Sequence, residues 1–118
     1  MKEAERDLRI LTHITDYCTQ IYDTVARFGD SYEVFQKDSI YRNAVALCIL
    51  QIGELVGNLT DDFRSQHDVI PWQRIKRMRN IVVHHYGTVD PEITWETIHI
   101  SIPELEAYCK GILDAPQD

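Results

Sequence analysis

A chain of 118 residues, 44% hydrophobic and 26% charged, is long enough for one domain to bury about two-thirds of its unfolded surface, so it needs no disulfide or metal staple to fold. Its net charge of −7 excludes a protein that coats nucleic acid through bulk positive charge. No apolar run approaches the roughly 18 residues of a membrane span, and the polar start Met1-Lys2-Glu3-Ala4-Glu5-Arg6 is unlike a signal peptide.

From about Glu3 to Phe28, Leu11, Ile14, Cys18, Ile21, Val25 and Phe28 recur at steps of three and four, the spacing of one buried stripe on a long helix. Gly29 is placed to stop that helix, with Asp30-Ser31 as the turn. Tyr32 to Lys37 is short, and Tyr32, Val34 and Phe35 suit one helical turn laid over the core. Asp38 or Ser39 then caps a second long helix. Its stripe is Val45, Ile49, Ile52, Val56, Leu59 and Phe63, with a second row of Ala44, Leu47 and Cys48. Two apolar rows let one helix face two neighbours. Gly53 and Gly57, four apart on it, each cost about 1 kcal/mol of helix propensity relative to Ala. Either another backbone approaches there, in this chain or in a second copy, or the bundle merely tolerates small residues.

Gln66 to Ile70 reads as a polar link, and Pro71 suits the first position of a third helix, where its missing N–H is not needed. Ile75, Met78 and Val82 form that helix's buried stripe; the pattern fails at Tyr86-Gly87, and Thr88-Val89 connects. Asp90-Pro91 restarts the chain as an N-cap followed by proline. The last helix carries Trp95, Ile98, Ile102, Leu105, Cys109 and Ile112. Pro103 inside it predicts a kink near His99 to Ile102, and Ala115-Pro116-Gln117-Asp118 should fray. With no strand-like alternation and no internal repeat, residues 1–118 read as a single all-α domain. Its expected architecture is an up-and-down bundle of four main helices, with room for an extra short helix near 32–37. Cys18, Cys48 and Cys109 are odd in number and far apart within apolar patterns, as expected of reduced, buried thiols in a cytoplasmic protein.

The charge is unevenly spread. The segment from Arg64 to Tyr86 carries +4 and the rest of the chain −11, and His67, His84 and His85 lie in the same basic island. An arginine with a histidine supplies a fixed cation for phosphate and a proton carrier near neutral pH. At 100° per residue, Arg79 and Tyr86 share a helix face and Asn80 and His84 share another, whereas Arg79 and His84 are about 140° apart. In a regular helix that pair does not touch. Either the helix unwinds near His84, where Gly87 offers an ending, or two chains pool their residues across a cleft. Spacing alone equally describes a solvated basic face with histidines at a helix end, where the dipole favours them as cations.

Arg-x-x-x-x-His, from Arg79 to His84, resembles the signature of the HEPN superfamily of helical ribonucleases. The longer form Arg-Asn-x-x-x-His-x-Tyr, with Arg79, Asn80, His84 and Tyr86, resembles its HepT branch, also called DUF86. Ile52-Gly53-Glu54, Ile70-Pro71-Trp72 and the stretch from Val89-Asp90 to Trp95 extend the resemblance from about Asp38 to Ile112. It implies a helical, dimeric, metal-independent RNase toxin of a type VII-like toxin–antitoxin pair. The implied partner is an MNT-type nucleotidyltransferase antitoxin that transfers AMP from ATP to the motif tyrosine. On this chain it implies Arg79 and His84 as catalytic residues and Tyr86 as the modified tyrosine. Asn80 and His85 are supporting candidates, and Arg74 and Arg77 are candidates for RNA phosphate. No cofactor, metal, membrane or DNA partner is expected.

Two other readings compete. The first is a catalytically inactive helical adaptor that binds a nucleotidyltransferase or a nucleotide. The second is a metal bundle, for which Glu96-Thr97-Ile98-His99 gives one Glu-x-x-His where such a site needs two and further carboxylates. His13 has no partner at ligand spacing.

Overall fold

The three-and-four stripe of the first segment folds as one helix, α1 (Lys2–Phe28), which buries Ile10, Leu11, Ile14, Cys18 and Ile21. Gly29 follows with φ +114, and its N–H donates to Val25 O at 2.8 Å. This is a left-handed stop that a side chain would strain. The structure is a computed structural model that describes the backbone of residues 2–83 and 90–116 and the side chains of 2–80 and 90–116.

A short helix does form next. α2 (Tyr32–Lys37) is capped by Ser31, whose hydroxyl accepts from Val34 N–H. It covers the core through the buried Phe35, with the half-buried Tyr32 ring edge-on to Trp95 at 6.0 Å, while Val34 is exposed. Asp38, not Ser39, caps α3 (Ser39–Gly57), its carboxylate accepting from the N–H groups of Ile40 and Tyr41. The Tyr41 ring is fully buried, with centroids 5.0 Å from Phe28 and 4.8 Å from Phe35. Its hydroxyl donates to Gly29 O at 3.0 Å, which pins the corner after α1 to the start of α3.

The expected second helix ends early. Val45, Ile49, Ile52, Val56, Leu59 and Phe63 are all buried, but the helix stops at Gly57 and Phe63 sits on a separate helix, α4 (Asp61–Gln66). The cause lies on α1. The buried Asp7 carboxylate accepts from Thr60 N–H at 2.9 Å and from Thr60 Oγ1–H at 2.7 Å. Thr60 Oγ1 in turn accepts from Phe63 N–H at 3.1 Å. Asp7 thus completes an N-cap from another helix, and the new cap wins over continuation of α3. Leu47 also departs from expectation, being exposed rather than part of a second buried row.

α5 (Trp72–Val83) begins one residue later than the proline-first reading, with Pro71 O accepting from Ile75 N–H at 3.1 Å. Trp72, Ile75 and Met78 are buried, and Trp72 Nε1–H donates to His67 O at 2.9 Å. The Val82 side chain lies outside the described residues. Asp90 caps α6 (Pro91–Glu96) with proline in the first turn, as the sequence predicts. The predicted kink appears as a π-helical turn, Thr97–Ser101, leading into α7 (Ile102–Asp114). Pro103 has no N–H to return to the carbonyl of His99, and Ile102 N–H reaches back to Thr97 O, closing the wider ring.

Among the described residues all regular structure is helical. α3 packs on α1 and α5, and α1 packs on α7, so α3 sits centrally in a body of 48 × 27 × 21 Å. By length and composition alone α3 is long and apolar enough to cross a membrane. Packing on two sides accounts for that composition. The three cysteines are free and buried. Burial first, then the neighbouring Cys109, pushes the Cys18 thiol up from 9.0 to about 12; burial and Glu106 do the same to Cys109.

Candidate functional site

Helices α3 and α5 approach so closely at Gly53 that even a Cβ there would be tight. A Cβ built there would stand 3.0 Å from Arg79 Cβ and 3.4 Å from Lys76 O. One turn later, a Cβ on Gly57 would meet Lys76 Cε at 3.4 Å. Of the two readings of these glycines, close approach holds at Gly53, where the approaching helix is α5 of the same chain, whereas Gly57 meets only the flexible end of Lys76 at ordinary contact distance. The helix-propensity cost of Gly53 is offset by the α3–α5 contact it permits.

The seam brings an acid to the motif arginine. Arg79 Nη1–H donates to Glu54 Oε1, an ion pair between side chains 39% and 50% exposed respectively. A pair so well solvated is worth about 0.2–1 kcal/mol, too little to be the reason for the fold. Arg79 Nε is buried and has no hydrogen-bond partner among the described residues. A guanidinium carries five N–H donors in a fixed plane. Here one is taken by Glu54 and Nε–H is shut away from solvent, while the side chain as a whole stays 39% exposed.

Arg74 and Arg77 have different surroundings. They line an open groove of about 600 Å³ between α4 and the start of α5, together with Arg64, Asp68 and Trp72. Arg64 is paired with Asp61 at 2.6 Å; among the described residues no acid pairs with Arg74 or Arg77. Both are exposed, as is Asn80. Arg77 and Arg79 are two apart, about 160° around the helix. The single basic island of the sequence is therefore two separate features, one in the seam and one in the groove. α5 stays helical through Val83. His84, His85 and Tyr86 lie outside the described residues, so the unwinding expected at His84 does too.

Two other places carry titratable groups but a different chemistry. His99 Nδ1 lies 2.9 Å from Trp95 O and Nε2 lies 2.9 Å from Asp30 Oδ1, so this histidine ties the π-turn to the corner after α1 and does not pair with Glu96. A groove of about 730 Å³ at the far end of α1, α4 and α7 is lined by Glu3, Asp7, Asp62, His67 and Tyr108 and by no lysine or arginine. Its charge has the wrong sign for a phosphate. Sequence reasoning missed the Glu54–Arg79 pair, although Glu54 stands beside a glycine for which close approach was one of the two open readings.

Comparison with known proteins bears on what this geometry serves. Residues 8–112 match the family model described as Ribonuclease HepT-like. A protein of Caldanaerobacter subterraneus subsp. tengcongensis, named "Putative RNase", is 41% identical over 103 residues, covering 87% of this chain and 90% of its own. A protein of Methanocaldococcus jannaschii with the same kind of name is 31% identical over 110 residues, covering 92% of this chain and 89% of its own. One from Thermococcus cleftensis, named "Probable ribonuclease HepT", is 36% identical over 75 residues, covering 64% of this chain and 68% of its own. No solved structure matches the chain.

Proposed function

The chain belongs to the HepT-like ribonuclease family of the HEPN superfamily, and from that premise we propose that it cleaves RNA without a metal, using Arg79 and His84. The observation that carries this reading is the guanidinium of Arg79, which donates to Glu54 on one side while the side chain stays 39% exposed. Arg79 binds the scissile phosphate and favours the added negative charge of the transition state, help worth about 10²–10³ in rate. His84 takes the proton from a ribose 2′-OH or returns one to the leaving 5′-oxygen, worth about 10²–10⁴. Asn80 orients the imidazole or donates to phosphate, and His85 stands beside it as a second proton carrier. Arg74 and Arg77, in their own groove, hold phosphates further along the strand.

Two copies pair so that each cleft has one histidine as base and one as acid. Ile40 and Leu47, seven apart on α3 and both exposed, offer an apolar face for that pairing. The protein acts in the cytoplasm as the toxin of a type VII-like pair. Its MNT-type nucleotidyltransferase antitoxin transfers AMP to Tyr86: the phenol oxygen bonds the α-phosphorus of ATP and pyrophosphate leaves. The new phosphate lies close to Arg79, occupies the anion site and blocks RNA.

Expression of the chain alone, and with a neighbouring nucleotidyltransferase, tests the whole scheme. Alone it should arrest growth, and Arg79→Ala should abolish the arrest. Co-expression should relieve the arrest and add one AMP mass that maps to Tyr86. An adaptor would neither arrest growth nor respond to Arg79→Ala, and a mass increase absent from Tyr86 would remove the modification from the scheme.

A further inference from the structure

The phosphate-binding role of Arg79 leaves open what fixes its guanidinium in place. Three observations meet at that point. Gly53 lets the backbone of α5 come within contact of α3, with 3.0 Å left between a hypothetical Cβ and Arg79 Cβ. Glu54, the next residue, accepts from Arg79 Nη1–H. Arg79 Nε is closed to water and has no partner among the described residues. Without Glu54, nothing among the described hydrogen bonds would hold the guanidinium plane, and a long side chain that is 39% exposed would sample many rotamers.

From this we infer that Glu54 is a positioning residue: it grips one edge of the Arg79 guanidinium and presents the outer Nη edge to the RNA phosphate. The inference rests on the reading that Arg79 takes the phosphate. It also commits to a sign. A carboxylate beside a phosphate-binding arginine could instead sequester it, but the pair is half solvated and therefore weak, and the guanidinium has further N–H groups beyond the one given to Glu54. Orientation is what the contact supplies. Reach matters more than charge in such a grip, because an acceptor oxygen at the right distance is enough to fix the plane.

Steady-state cleavage of a labelled RNA by the full chain tests this, with Glu54→Gln, Glu54→Asp, Glu54→Ala and Arg79→Ala measured side by side. Gln keeps the reach and an acceptor oxygen but no charge; Asp keeps the charge and loses a methylene. Both are conservative changes at a half-exposed site and leave the fold intact, which melting curves check. Expected are a kcat within about threefold of the parent for Glu54→Gln and a loss of about tenfold or more for Glu54→Asp. Glu54→Ala should lose up to about 10²-fold, the scale of a misplaced catalytic group, with KM changed less than kcat in each case. Glu54→Ala combined with Arg79→Ala should be no slower than Arg79→Ala alone, because the two act through one group. Parent-like turnover of Glu54→Ala beside an inactive Arg79→Ala overturns the inference while sparing the nuclease reading. So does Glu54→Asp matching or exceeding Glu54→Gln, or faster turnover in the variants. An Arg79→Ala protein that cleaves normally overturns the underlying reading itself.

Discussion

Arg79 and the pair Arg74 and Arg77 stand on one helix within two turns, yet their surroundings differ in every respect that matters to chemistry. Arg79 lies in a seam where a glycine has removed the intervening side chain, with an acid against it and its Nε–H buried. Arg74 and Arg77 line an open groove and remain exposed. A fixed guanidinium can favour one geometry of a reacting phosphate, because it has no reorganisation left to do when charge develops. A free one attracts any phosphate and discriminates little, because its attraction is mainly Coulombic and screened by salt. The same residue type thus divides into a candidate for rate and two candidates for grip.

The sharpest break between them is in activity. Arg79→Ala should lower kcat by about 10²–10³, whereas Arg74→Ala and Arg77→Ala should each leave kcat within a few-fold. Their effect should appear in binding, reducing the slope of log affinity against log salt by about 0.7 per residue for a single strand; titrations at several salt concentrations measure it. If Arg77→Ala matched Arg79→Ala in kcat, seam and groove would be one site after all.

The seam can also be attacked sterically. Gly53→Val puts branched carbon where only 3.0 Å is free beside Arg79 Cβ. It should cost about 1–3 kcal/mol in denaturant unfolding and lower cleavage per folded molecule. A stability change away from the seam gives the contrast: Asp7→Ala leaves the Thr60 N–H without the carboxylate it now donates to at 2.9 Å and should cost about 1–3 kcal/mol. Its cleavage per folded molecule should stay unchanged. A loss of turnover in Asp7→Ala comparable to that in Gly53→Val would show that both act through general loosening.

The smallest expected effect concerns the α1–α7 side. The Cys18 and Cys109 thiols are held neutral, at about 12 against 9.0 when unfolded. Because the folded values are raised, their contribution is fully present below about pH 9 and declines as pH climbs from there towards about 12. Urea midpoints should therefore fall as pH rises above about 9, less so in Cys18→Ala or Cys109→Ala. The folded protein should resist thiol reagents at about pH 8, and cleavage should be unchanged.

Much of the fold is legible in the sequence, because long stripes such as Leu11 to Phe28 and caps such as Asp38 and Asp90 are local signals. The kink at Pro103 is local as well, since the missing N–H dictates it. What escapes is non-local. The break at Thr60 depends on Asp7, 53 residues away, and the stripe continues across it through Leu59 and Phe63 as though no break existed. Leu47 fits the periodicity, but no neighbour packs over it closely enough to bury it. In the site, the motif residues are visible as a pattern, whereas the glycine pair leaves close approach and mere tolerance of small residues both open. Which helix approaches, and that Glu54 thereby meets Arg79, follows only from three-dimensional packing. Arg74 and Arg77 look like part of the same island because sequence proximity hides a rotation of about 160° between Arg77 and Arg79.

The most direct trial of the central claim is the fate of a defined RNA incubated with purified protein in excess chelator. Cleavage that proceeds, leaves 2′,3′-cyclic phosphate ends and vanishes in His84→Ala is what Arg79–His84 chemistry predicts. Cleavage that stops with the chelator, or that His84→Ala performs at the parent's rate, would contradict it.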